Sequence, residues 1–295
     1  MPNVAVVTDS CASIPEPLLE TLKIHWVPYY VHLGTKALRD LVTIQRDAFY
    51  QWLPRAKKLP TTASPGPGDY VELYQELAEE KGVQEIISIH MTSKGSGAYQ
   101  AARVAQSMVR ELVPNLRLEV IDTLNVSMCQ VWMVIEAARA ALTDQALPDI
   151  VARVKSMIPT TRMIQTADTL KYLYMGGRIG KAKHLVGSLL SIKPLIGMED
   201  GIIVPLGQAR SRSRAYARMV DMVEAAARDL GKMRIAFVHA AAREEAEELK
   251  SMVDQRLEYS EALIAELSPA LGVHTGPGTV GLCYAPVLEP LKELR

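Results

Sequence analysis

The residues with the clearest chemical potential are hydroxyls and amides that follow short apolar runs. Residues 4–7 run into Thr8, Asp9 and Ser10, and residues 86–89 into His90, Thr92 and Ser93, then Lys94-Gly95-Ser96-Gly97. Residues 116–121 run into Asp122, Thr123 and Asn125, and a further stretch, Pro60-Thr61-Thr62-Ala63-Ser64-Pro65-Gly66, precedes the second of these runs. Such residues commonly cap the helix that follows, and Asp9, Asp69 and Asn125 are expected to do so. Ser93, Ser96 and the Gly97 backbone ask for more. At a helix start they offer hydroxyls and N–H groups at the positive end of the dipole, a setting that holds a carboxylate or phosphate.

Other chemistries fit less well. Gly176-Gly177-Arg178-Ile179-Gly180-Lys181-Ala182 resembles part of a phosphate loop, but the glycines are misplaced and Ala182 stands where Ser or Thr belongs. There is no nucleophile elbow and no HExxH pair. Ser93, His274 and Asp122 supply the types of a catalytic triad, as does almost any trio in a chain of this length. The six histidines (His25, His32, His90, His184, His239, His274) lack metal-ligand spacing. His90 and His239, each beside apolar residues, read as core histidines. Cys11, Cys129 and Cys283 are far apart and read as free thiols of a reducing compartment. Arg210, Arg212, Arg214 and Arg218 form the one basic run, read first as a solvated face and second as a docking patch for an acidic partner.

The apolar runs must be the elements that carry these residues. Short continuous runs bounded by polar residues read as buried strands, with two further examples at 235–238 and 280–283. Between them lie helical stripes: Ala101, Ala102, Ala105, Met108, Val109 and Leu112; Met219, Val220, Val223, Ala227 and Leu230; and Ala246, Leu249, Met252, Val253 and Leu257. Strands alternating with amphipathic helices predict an α/β fold with a largely parallel sheet. A helical segment over 150–158 stops at Pro159. Strand-like sequence follows, and Asp200-Gly201 is a hairpin signal. Two domains are therefore expected, 1–159 and 160–295. In open α/β sheets ligands bind beyond the carboxyl ends of strands, where the hydroxyls lie.

Thirty-three basic and 33 acidic residues among 295 give zero formal charge. That speaks against a nucleic-acid or membrane-surface binder, which would carry a basic excess. The N-terminus lacks a signal-peptide pattern and no apolar run approaches the ~20 residues of a spanning helix, so a cytoplasmic location is expected. Hydrophobic residues make up 48% of the chain with only two Phe against thirteen Met, a mostly aliphatic interior.

Six segments in order carry a family resemblance. They are Thr8-Asp9-Ser10; Pro60-Thr61-Thr62 with Pro65-Gly66-Pro67-Gly68-Asp69; Thr92-Ser93-Lys94-Gly95-Ser96-Gly97-Ala98-Tyr99-Gln100; Ile121-Asp122-Thr123; Leu170 through Gly176-Gly177-Arg178-Ile179; and His274-Thr275-Gly276-Pro277-Gly278-Thr279. From residue 4 to about 284 the chain resembles the DegV family of fatty-acid-binding proteins, whose members include acyl-binding subunits of bacterial fatty acid kinase. The resemblance implies two α/β domains, the first with a Rossmann-like parallel sheet, and a long-chain fatty acid between them. It implies a carboxylate held by Thr62 and Ser93, with Thr61, Ser96 and Gly97 close by. Arg178 and His274 resemble residues that handle the headgroup or its phosphorylated form. It further implies a protein that performs no chemistry alone, needs no cofactor and presents the acid to an ATP-dependent acyl kinase. A monomer is expected of two domains closing on one ligand, and Arg210, Arg212, Arg214 and Arg218 are the candidate docking patch. A serine-dependent acyl hydrolase and a lipid-responsive sensor are the alternatives. Ala63, Ser64 and Gly66 depart from the family's PTTSQPS pattern, and Thr92, Gly95 and Ala98 from SSKLSGTY. Cys129 and Val131 stand where glycines are common, which bears on chain-length preference.

Overall fold

The computed structural model describes residues 3–186 and 192–289. Its first strands are β1 (Val4–Asp9), β2 (Ile24–Val27), β3 (Tyr30–Leu33), β4 (Lys36–Arg39), β5 (Thr61–Ala63), β6 (Glu85–His90) and β7 (Arg117–Asp122). There follow β8 (Arg162–Thr166), β9 (Lys193–Glu199), β10 (Ile202–Ala209), β11 (Met233–His239), β12 (Glu261–Glu266) and β13 (Val280–Pro286). The helices are α1 (Glu16–Thr21), α2 (Arg46–Trp52), α3 (Pro67–Gln75), α4 (Ala98–Leu112) and α5 (Met128–Leu142). The later ones are α6 (Leu147–Met157), α7 (Lys171–Met175), α8 (Arg212–Leu230), α9 (Arg243–Asp254) and α10 (Pro269–Thr275).

All five apolar runs are strands. The first four-stranded sheet, in the order β2-β1-β6-β7, is wholly parallel. β1 and β6 are buried along their whole length, as strands covered on both faces must be. The second sheet has six strands in the order β10-β9-β8-β13-β11-β12, and only β11 and β12 run parallel. The expectation of a largely parallel sheet thus holds for the first sheet and not for the second. The reason is physical: a strand buried on both faces has the same continuous apolar pattern whichever way its neighbours run. A third, antiparallel sheet, β4-β3-β5, is too short and polar to stand out in sequence.

Asp200 (φ 47°) and Gly201 (φ 77°) make the β9–β10 hairpin turn, as their types predict. The helical stripes on α8 and α9 bury Met219, Val220, Val223, Ala246, Leu249 and Val253. On α4, Ala101, Ala102, Ala105 and Val109 are buried, but Met108 and Leu112 are exposed beside the edge strand β7, which has no neighbour to cover them.

α5 is the element that joins the two larger sheets. Nearly all of its residues are buried, it packs on β1, β6 and β13, and the Trp132 indole donates to the Cys283 carbonyl at 3.1 Å. One apolar cluster accordingly runs from Val4 and Ile87, through α5, to Ala236 and Cys283.

Candidate functional site

Above the carboxyl ends of β1 and β6 the chain encloses a cavity of about 560 Å³. That is within the ~300–1,000 Å³ range of small-ligand pockets. Its apolar wall is made largely by Met91, Met163, Met198, Leu173, Leu267 and Leu271. Methionine suits such a wall because an unbranched thioether fills irregular space. Five of these six lie on or beyond strands of the second sheet, and Met91 follows β6, so the cavity is bounded from both sides.

Five of the predicted site residues line it: Thr62, Ser96, Gly97, Arg178 and His274. Thr62 points inward by strand alternation. It is the middle residue of β5, opposite Val31 of β3, so its neighbour Thr61 faces the other way and is exposed. Thr61 is therefore not part of the cavity wall, nor is Ser93, whose backbone N–H is tied to the Asp122 carboxylate at 3.2 and 3.3 Å. The resemblance had placed Ser93 ahead of Ser96; in the structure Ser96 occupies the wall.

Each inward hydroxyl has a neutral group behind it. Thr62 Oγ1 lies 2.8 Å from His274 Nε2, while His274 Nδ1 is buried without a partner. Burial, then the nearby Arg178, lowers the His274 pKa to about 4, so the ring is neutral at neutral pH. A buried N–H without an acceptor costs more than a bare ring nitrogen, so the hydrogen belongs on Nε2. His274 then donates to Thr62, and the Thr62 hydrogen is free to point elsewhere. Ser96 has the same logic. Its Oγ accepts from the N–H of Ala98, the first residue of α4, at 3.3 Å and sits 2.6 Å from Tyr29 Oη. Burial pushes the Tyr29 phenol well up, so it stays protonated and can donate to Ser96. Ser96 is left with its own hydrogen to give.

Two glycines make room for this arrangement. A Cβ on Gly176 would lie 2.3 Å from His274 Nδ1, and one on Gly201 would lie 2.3 Å from Thr92 Oγ1. Thr92 in turn donates to the Gly201 carbonyl at 3.0 Å, pinning the hairpin turn over the end of β6. Arg178, exposed at the rim, donates to the carbonyls of Gly95 (3.3 Å) and Gly176 (2.8 Å) and so bridges the two sides.

Beneath the site, β1 and β6 supply a closed polar chain. His90 Nδ1 meets Asp9 at 3.0 Å, His90 Nε2 meets Ser88 at 2.7 Å, and Tyr74 donates to Ser88 at 2.7 Å. His90 is thus a hydrogen-bonded core histidine, and Asp9 caps the turn after β1 by accepting from Cys11 N. The basic run divides. Arg212 is half-buried, pairs with Asp168 at 2.9 Å and donates to the Gly278 carbonyl at 2.6 Å; Arg218 donates to Gln208. Burial would raise Asp168, but its bonds from Arg212 and Lys193 bring it below the usual carboxylate range. Only Arg210 and Arg214 of the four are exposed without such a fixed role among the described residues. Asp122 accepts from the N–H groups of Ser93 and Leu124, and His274 bonds Thr62, so Ser93, His274 and Asp122 do not assemble. Among the described residues no three His, Cys, Asp or Glu side chains could hold a metal ion. Nor, among them, is any helix long and apolar enough to cross a membrane.

The sequence profile described as "Uncharacterised protein, DegV family" matches residues 3–287. This chain belongs to the DegV family. It is 31% identical over 284 residues to a DegV domain-containing protein of Caldanaerobacter subterraneus subsp. tengcongensis, covering 96% of this chain and 99% of the relative. The fatty-acid-binding DegV family protein of Thermus thermophilus superposes with a TM-score of 0.89 at 29% identity, over 96% of this chain and 99% of that one. A stearic-acid-binding protein of Eubacterium ventriosum gives a TM-score of 0.89 at 25% identity, over 96% and 98%. The two-domain α/β architecture is therefore that of the DegV family. Tyr29 and Ser127, two further DegV-chain residues on the cavity wall, went unnoticed in the sequence. Tyr29 reaches Ser96 across 67 residues of chain, a pairing that no local pattern announces.

Proposed function

We propose that this chain binds a long-chain fatty acid in the cavity between its domains, 1–159 and 160–295. The carboxylate accepts hydrogen bonds from Thr62 and Ser96, and the alkyl chain lies among the methionines and leucines. One observation carries this reading: each of the two inward hydroxyls lies within hydrogen-bond distance of a neutral group that can donate to it, His274 or Tyr29, which frees its own hydrogen for a ligand. Two donors without a fixed cation suit a single carboxylate. Each methylene removed from water adds about 0.8 kcal/mol, so the chain supplies affinity and the hydroxyls supply orientation. The Thermus and Eubacterium neighbours, which bind fatty acid and stearic acid respectively, support the same class of ligand.

In this reading the protein is a cytoplasmic, non-catalytic carrier that presents the carboxylate to a separate ATP-dependent acyl kinase. Arg178 at the rim is the cation placed to meet a phosphorylated headgroup. The exposed pair Arg210 and Arg214 is what is left of a docking patch. A hydrolase would need a nucleophile, base and orienting acid in line. The hydroxyl bonded to His274 is Thr62, and His274 Nδ1 has no carboxylate partner. Native mass spectrometry of protein purified without added lipid tests the proposal. The expected result is a bound species with the mass of a long-chain fatty acid; no such species, and no uptake of added stearic acid, would overturn it.

A further inference from the structure

The cavity has a second polar feature, away from Thr62 and Ser96. Ser127 lines the wall and is 1% exposed, yet its Oγ has no hydrogen-bond partner. It also sits at φ 57°, ψ −138°, a backbone conformation that suits glycine and that L-residues rarely adopt. Strain and an unpaired buried hydroxyl at one residue mark a site rather than a packing solution.

Ser127 is the N-cap of α5, a fifteen-residue helix, but its side chain caps nothing. Val131 N is the first N–H of the helix to bond back, to the Ser127 carbonyl at 3.0 Å, which leaves those of Met128, Cys129 and Gln130 without an acceptor inside the helix. A helix start buried without partners is a set of donors awaiting an oxygen. Nearby, Asn125 Oδ1, Gln130 Oε1 and Thr161 Oγ1 are likewise buried and unpaired. Ser127 is the one of these four residues that lines the cavity.

We infer that Ser127 and the start of α5 form a second polar subsite in the cavity, which takes an oxygen on the acyl chain itself. The ligand class is a hydroxy fatty acid whose hydroxyl hydrogen-bonds Ser127 Oγ. This rests on the fatty-acid reading above and adds a preference that the carboxylate site cannot supply. A plain alkyl chain would leave the Ser127 hydroxyl unpaired or hydrated by a resident water.

The test is a calorimetric comparison of stearic acid with a positional series of hydroxystearic acids, on wild-type protein and on Ser127→Gly. Glycine accepts the Ser127 backbone conformation, so that variant folds at least as well. Ser127→Ala, checked by circular dichroism, provides a second variant that keeps a Cβ. The expected result is one hydroxyl position that binds on the order of tenfold more tightly than stearic acid, as one well-made hydrogen bond gives. That advantage should disappear in both variants, the affinity ratio of the best isomer to stearic acid falling to about one. If stearic acid binds and no isomer exceeds it, or if the advantage survives in both variants, the subsite is wrong and the carboxylate site stands. If stearic acid does not bind at all, the fatty-acid reading falls and takes the subsite with it.

Discussion

The two ends of α5 meet the second sheet in opposite ways. At its start, hydroxyls, a neutral histidine and unpaired donors surround a cavity. About 18 Å further along, twelve residues at ~1.5 Å each, its other end is packed with paired charge. There Glu136 accepts from Arg153 (2.5 Å) and Arg234 (2.6 Å), and Glu261 holds Arg139 through two bonds at 2.8 and 2.7 Å. Arg234 also approaches Glu261 at 3.7 Å, which completes an alternating ladder of three arginines and two glutamates. The ladder fixes α5 and α6 to β11 and β12. At the cavity end the one charged bridge is Arg178 to backbone carbonyls, with no ion pair, and the inward hydroxyls keep hydrogens for a ligand. One end is a clasp and the other a receptor.

Breaking the clasp should produce the largest effect. Glu136→Ala leaves Arg234, 9% exposed, and Arg153 without their shared carboxylate. Removing one partner of a buried pair costs about 3–5 kcal/mol, to be read in urea unfolding. Protein that remains folded should bind stearic acid as before, since the ladder does not touch the cavity. If affinity falls in proportion to stability, the two ends are not separate devices.

The receptor end should show the reverse pattern. Ser96→Ala or Thr62→Val each removes one hydrogen bond to a carboxylate, worth about 1.5–3 kcal/mol, or roughly a tenfold to hundredfold loss of affinity. Unfolding midpoints should move little. A smaller effect comes from Gly176→Ala. The new Cβ must displace the His274 ring, 2.3 Å away, at about 1–3 kcal/mol of stability. It should also weaken acid binding by disturbing the donor behind Thr62.

Titration provides the finest discrimination. His274 and His239 both have pKa values near 4, lowered chiefly by burial. The stability they contribute is fully present above about 6.5 and is lost as pH falls toward 4. Asp40 behaves oppositely. It is buried, accepts from Ser10 Oγ at 2.6 Å and Ala270 N at 3.1 Å, and burial raises it to about 6. Its contribution is present below the unfolded value of about 3.9 and is lost as pH rises through 6. Asp40→Asn should therefore raise stability at pH 7.5 and leave it nearly unchanged at pH 4, as thermal unfolding at the two pH values would report.

The clasp was invisible in the sequence and the receptor was half visible, for a common reason. Runs such as 4–7 and 86–89 are legible because double-sided burial makes a strand continuously apolar, and the hydroxyls after them are legible because strand ends in α/β sheets open on the ligand crevice. Glu136 and Arg234 are 98 residues apart, and nothing local about either announces a partner. The choice between Ser93 and Ser96 depended on which backbone N–H was taken by Asp122. Tyr29 entered the site only through a contact between distant segments. Ser127 carries no signal of its own in the sequence; its strained φ and empty hydroxyl appear only in three dimensions.

The central claim is that neutral hydroxyls, each backed by a donor, recognise a carboxylate. The most direct measurement is the affinity of wild type, Thr62→Val and Ser96→Ala for stearic acid and for its methyl ester. The account predicts that both variants lose affinity for the acid by roughly tenfold or more and leave the ester nearly unaffected, so the acid's advantage shrinks. Equal losses for acid and ester, or no loss for either, would contradict it.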